Sequence, residues 1–176
     1  MAVVKKVHGF ISGLLKSVGF ILALTVPITM LIQVLLRYVF KAPLLGIEEF
    51  LQFPTVWLYM LGGALASVLH SHIECGVLSV YLKSHRALAV LGIIKTLVSA
   101  VVGCWLTYWC WWYLMYSLDK WKISDLLHIP QFLGDSALFV GVLLMTVYAI
   151  ADSIVELGSA REVFSGQTER KEGDTV

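Results

Sequence analysis

The residues with the most chemistry to offer are crowded into "LLRYVFKAPLLGIEEF", positions 35–50. Arg37 and Lys41 follow one long apolar run, and Glu48 and Glu49 precede the next. An arginine opposite adjacent carboxylates can form a bidentate ion pair. It can also present a charged contact to a solute or a partner. The other reactive side chains form no catalytic set. Cys75, Cys104 and Cys110 make no C-x-x-C and no metal-ligand spacing. His8, His70, His72, His85 and His128 all lie outside the centres of the apolar runs. Haem ligation inside a helical bundle is therefore not provided for, and neither is thiol–disulfide chemistry. These absences argue against a membrane enzyme and call for no cofactor and no metal.

The elements that must position Arg37, Glu48 and Glu49 are apolar. The chain has 176 residues, 59% hydrophobic and 14% charged, with a mean hydropathy of +0.83. A soluble domain carries about a quarter charged residues, so this composition belongs in a bilayer. The net charge of +1 comes without a basic tract for nucleic acid. A helical crossing needs about 20 apolar residues. Four stretches qualify, at 17–36, 50–69, 87–118 and 134–157. The third, interrupted by Lys95, is long enough to tilt or to project beyond the membrane. Lys5 and Lys6 resemble the start of a signal peptide, but the run that follows is too long and ends at Arg37 without a small-x-small site, so it reads as a retained span. Residues 1–157 thus read as one all-α integral membrane domain, and the charged segment 158–176 as a disordered tail. Within 72–86, Ile73, Val77, Val80 and Tyr81 share one helical face, which fits a short amphipathic helix on the interface between the second and third spans.

Four spans place both termini on one side. That side carries eight cations (Lys5, Lys6, Lys16, Lys83, Arg86, Arg161, Arg170, Lys171), the other four (Arg37, Lys41, Lys120, Lys122). The bias favours cytoplasmic termini.

Helix dipoles explain part of the opening pattern. A cation is favoured where the first span ends, and anions where the second begins. The tight link between them, with Pro43 and Gly46, lets Arg37 pair with Glu48 or Glu49 and pin the first hairpin. Small residues recur at four-residue spacing, with Gly62/Ala66 and Gly63/Ser67 on the second span, Ser99/Gly103/Thr107 on the third and Ala137/Gly141 on the fourth. Such spacing lets helices approach closely in lipid. It serves a compact bundle or a docking face equally well. Trp105, Tyr108, Trp109, Trp112 and Tyr116 share one face of the third span and read as an interfacial belt. Ionisable residues are missing from the span centres, with Asp135, Asp152 and Glu156 at the ends of the fourth and Gln33 the long polar side chain of the first. A chain that moved ions or acids by itself would need more.

The stretch "RYVFKAPLLGIEEFLQFPTVWLYMLGGALASVLHSHI" resembles the small membrane subunit of tripartite ATP-independent periplasmic (TRAP) transporters, the DctQ-like family. The matching positions are Arg37, Tyr38, Phe40, Pro43, Leu44, Glu48, Glu49, Trp57, Gly62 to Ala64, His72 and Ile73. Ile129, Pro130, Gly141, Leu144 and Met145 add a second, weaker match. The resemblance implies an accessory subunit in a bacterial inner membrane. Its partners would be a large multi-span membrane subunit, which carries solute and sodium, and a periplasmic substrate-binding protein. The cargo would be an organic acid. On that reading Arg37, Tyr38, Pro43, Glu48, Glu49, Trp57 and His72 form the assembly motif, while Gly62, Gly63, Ser67, Gly103 and Gly141 serve helix packing. The competing reading is an autonomous, homodimeric four-helix transporter.

Overall fold

The computed structural model describes residues 2–41, 46–69 and 85–164, with backbone alone at 2–5, 7, 85–89 and 159–164. It is all-helical, and the described residues contain no strand beyond one isolated bridge between Ile123 and Pro130. The helices are α1 (Ala2–Tyr38), α2 (Gly46–Val68), α3 (His85–Lys120) and α4 (Phe132–Phe164). Each contains a segment long and apolar enough to cross a membrane. The expected short helix at the second connection falls on residues 70–84, outside the described residues, as do Pro43, Leu44 and His72.

The helices outrun the apolar segments. At about 1.5 Å per residue α1 measures roughly 55 Å, well beyond a ~30 Å hydrocarbon core. It begins some four turns before the span expected from residue 17. Backbone hydrogen bonding inside a helix does not stop at a charged side chain, so the first segment, apolar but interrupted by Lys5, Lys6 and Lys16, continues the same rod. At the other terminus α4 runs on to Phe164. The beginning of the segment expected to be disordered from residue 158 is therefore helical. Pro27 and Pro54 lie inside helices, and Thr25, Thr29 and Thr55 return their hydroxyls to carbonyls one turn back.

Among the described residues the helices pack as a row, α1 on α2, α2 on α4 and α4 on α3. The last helix therefore sits inside, and α1 and α3 form the edges. Leu15, Leu61, Ala64 and Val68 make the core between α1 and α2, backed by Leu144, Met145 and Tyr148 of α4. His8 adds a ring contact to Tyr148 at 5.8 Å. The α3–α4 seam is drawn tighter and is more polar. Thr107 and Thr146 share a hydroxyl–hydroxyl bond of 2.9 Å, and Ser153 donates to the Thr96 carbonyl at 2.9 Å. Such bonds hold where lipid offers no competing partner, each worth about 0.6 kcal/mol on average.

The small residues divide by what faces them. A methyl group on Gly141 would lie 2.7 Å from Met60 Cβ and 3.1 Å from the Met60 carbonyl oxygen. One on Gly103 would lie 2.8 Å from Thr146 Oγ1. These glycines are where α2 and α3 touch α4. Gly63 meets only the flexible tip of Met145, and Gly62 meets nothing within 4 Å. Ser67 is buried in α2 and returns its hydroxyl to the Gly63 carbonyl at 3.3 Å.

Gly141→Ala must push backbone rather than a movable side chain. It is expected to destabilise the protein by about 1–3 kcal/mol, read as a lower melting temperature in mild detergent. Gly62→Ala is expected to stay within about 0.5 kcal/mol of the parent.

Candidate functional site

The polar residues that hold the helices in register gather at the bundle end opposite the chain termini. Glu48 and Glu49 occupy the first turn of α2, where their charge complements the helix dipole. Their partners differ from those expected. Glu48 Oε1 accepts a hydrogen bond from Gln33 Nε2 of α1 at 2.9 Å. Glu49 turns the other way, to the connection between α3 and α4. It accepts from the Ser124 hydroxyl, from the Leu126 amide at 3.1 Å and from the Leu127 amide at 3.0 Å. Arg37 pairs with neither glutamate among the described residues; its guanidinium lies 6.0 Å from the Tyr38 ring centre. The hairpin clamp expected from sequence is thus replaced by two separate ties. Gln33 links α1 to α2, and Glu49 links α2 to a loop about eighty residues further along.

The local sequence explains why this loop needs an acceptor. Trp121 (φ 44°) and His128 (φ 54°) adopt left-handed backbone without being glycine, a strain that surrounding contacts must overcome. Trp121 ends α3 and donates its amide to the Ser117 carbonyl at 3.1 Å, the usual geometry of a left-handed helix terminus. The loop then folds on itself, with the Gln131 amide on the Lys122 carbonyl and the Ser124 amide on the Ile129 carbonyl, both at 2.9 Å. This arrangement presents the Leu126 and Leu127 N–H groups side by side. A carboxylate has acceptor sites for both of them and for Ser124. Gly46 completes the fit, since its Cα comes so close to Leu127 that an added methyl would sit 3.0 Å from Leu127 Cδ2.

Two further ties close the end. Trp57 Nε1 donates to the Leu133 carbonyl at 2.9 Å, which gives this tryptophan a concrete job at the start of α4. Asp135, in the first turn of α4, accepts from the buried Ser117 of α3 and lies within reach of the Tyr113 hydroxyl. Between α2, α3 and α4 a cavity of about 250 Å³ is lined by Gln52, Phe53, Val56, Tyr113, Ser124, Gln131, Gly134, Asp135 and Leu138. The described residues hold no cluster of metal-ligating side chains.

Sequence reasoning placed Glu48, Glu49 and Trp57 at this end but missed Ser124, the Leu126 and Leu127 amides, and Asp135 as an acceptor. Backbone donors leave no mark on a sequence. The one available cue was Ser124 inside a loop otherwise rich in charge and leucine. Arg37 and Tyr38 stand at the C-terminus of α1, with Tyr38 exposed.

Glu49→Ala removes the acceptor for two amides and a hydroxyl. Charge-assisted hydrogen bonds are the stronger kind. Hydrogen exchange at Leu126 and Leu127 is therefore expected to accelerate measurably, and exchange in the Arg37→Ala protein to match the parent. Equal protection in the parent and Glu49→Ala proteins would show that the carboxylate does not hold the loop.

The comparisons with known proteins agree with this architecture. A family model described as "Tripartite ATP-independent periplasmic transporters, DctQ component" matches residues 26–158. That stretch contains α2, α3, most of α4 and the ties made by Gln33 and Glu49. No curated protein matches the chain closely enough to be counted as a relative. With most of its length matched, this four-helix chain belongs to the DctQ family and is the small membrane component of a TRAP transporter, not an enzyme.

Proposed function

We propose that this chain is a scaffold for the large multi-span subunit of its transporter, in a bacterial inner membrane, with both termini cytoplasmic and the Glu49 end in the periplasm. There it helps to dock a substrate-binding protein that delivers an organic acid for sodium-coupled uptake. The observation that carries this reading is the placement of polar groups. Span centres hold hydroxyls and glycines that bind helices to one another, whereas at one end the Glu49 carboxylate and two backbone amides fix the shape of a surface loop. A chain that carried solute itself needs ionisable groups facing a path through the membrane. A chain that supports a carrier needs rigid helices and a shaped exposed loop. The cation bias toward the terminal side supports the orientation.

The experiment is to tag the C-terminus, extract the complex from native membranes in mild detergent and reconstitute it with the binding protein. A large multi-span chain is expected at one copy per copy of this protein, with organic-acid uptake that follows an inward sodium gradient and stops when this chain is left out. A homodimer with no other chain would overturn the reading.

A further inference from the structure

The aromatic stripe of α3 was expected to be an interfacial belt, but Trp105, Tyr108 and Trp109 lie too deep for one. Belts sit at headgroup level. The charged residues that flank the stripe on α3 are Lys95 and Asp119. Trp105 lies about 15 Å from Lys95 and about 21 Å from Asp119 along the helix, and Trp109 about 21 and 15 Å from the same two residues. Both therefore fall near the centre of the span, with Tyr108 between them. Toward the loop the stripe continues through Trp112, stacked on Tyr116 at 6.3 Å, and Lys122 covers Tyr116 at 5.6 Å.

This face is uncovered. Alpha 3 packs on α4 through Ala100, Gly103, Thr107 and Ser117, and the stripe points away from that seam. Trp105 is 66% exposed, Tyr108 65%, Trp109 52%, Trp112 57% and Tyr116 40%. At roughly 200 Å² for a whole aromatic side chain, these rings alone leave about 550 Å² open, much of the ~800 Å² per partner that a stable interface buries.

The decisive feature is hydrogen bonding. Among the described residues neither the indole N–H of Trp105 or Trp109 nor the Tyr108 hydroxyl has a partner, in contrast to Trp57, whose N–H is satisfied. Acyl chains cannot accept a hydrogen bond, so donors at this depth are costly when they face lipid. A neighbouring protein helix can accept them through hydroxyl, amide or freed carbonyl oxygens. Lipid suits the opposite edge better, since the exposed face of α1 through Ile21, Leu24, Ile28 and Leu31 is aliphatic.

We infer that the Trp105–Tyr108–Trp109–Trp112 face of α3 is the surface on which the large membrane subunit docks, with acceptor groups of that subunit receiving the mid-span donors; this rests on the scaffold reading above. The test uses the full complex in native membranes. A benzophenone amino acid is placed at position 105, 109 or 112, and as a control at position 24 or 28 of α1. Light is expected to join the chain to the large subunit, identified by mass spectrometry, from the α3 positions and not from α1. Trp105→Phe and Trp109→Phe keep the rings and lose the donors. Each is expected to lower the retained large subunit roughly threefold, the scale of one interhelical hydrogen bond in a membrane. Adducts to lipid or to a second copy at the α3 positions, large-subunit adducts from α1 alone, or full retention in both phenylalanine variants would overturn the inference while leaving the scaffold reading intact. Failure of the unsubstituted chain to retain any large subunit would remove both.

Discussion

One carboxylate ties the two halves of this protein together at their polar end. Glu49 begins the second helix, and its oxygens are engaged by the loop that joins the third helix to the fourth. The dependence runs both ways. The loop contains left-handed residues and a pair of side-by-side amides that would otherwise face water or each other. The second helix has at that end an anion already favoured by its own dipole. Placing that anion against the amides satisfies both, and it fixes how far the second helix slides against the fourth. Trp57 and Met60 then fall opposite Leu133 and Gly141, so the register set at one end is kept through the span.

Beneath this end the bilayer sets a different rule. With no water available, side-chain hydroxyls bond either their own helix or the neighbouring one, and no buried side-chain polar atom of the described residues is left without a partner. Thr107 and Thr146 do both at once. Glycine supplies the approach that brings them together. The seam between the third and fourth helices is consequently narrow and specific, whereas the first helix is attached mainly by aliphatic contact. The same economy makes the exposed indole and phenol groups of the third helix conspicuous, since they are donors that the chain does not satisfy by itself.

Much of the fold was legible in the sequence because hydrophobic length is a direct physical requirement of crossing a membrane. The spans expected at 50–69 and 87–118 coincide with helices Gly46–Val68 and His85–Lys120 to within a few residues. The last span, expected at 134–157, agrees with the apolar segment Phe132–Gly158 although its helix runs on to Phe164, whereas the apolar segment of the first begins at His8 rather than at 17; apolar length reports the bilayer and not the helix. The polar end was half legible. Dipole reasoning placed Glu48 and Glu49 correctly at a helix start, but the nearest opposite charge in the sequence, Arg37, was not the partner. The true partners were Gln33, the Ser124 hydroxyl and two backbone amides. An ion pair at a solvated interface is worth little, while a carboxylate that receives several fixed donors loses less freedom and gains more. Sequence shows charges plainly and backbone donors not at all. The glycine spacing was similarly ambiguous, and only the positions of Met60 and Thr146 separated the contacts at Gly141 and Gly103 from the open Gly62.

The row order of the helices has a consequence for how the protein is made. Phe132–Phe164, synthesised after the other three described helices, lies between the second and third, and it contributes to two of the three seams. Until it leaves the ribosome and enters the bilayer, the third helix has no neighbour in its own chain, and the Asp135 and Leu133 ties do not exist. The first hairpin can form early, but the third helix must wait beside the translocation channel with its glycine and threonine face unpaired. Maturation is then a single late step, in which one inserted rod closes both halves together. Chains cut short before residue 132 keep the first hairpin but lack the helix that packs the third onto it, which makes them natural prey for the proteases that survey the membrane.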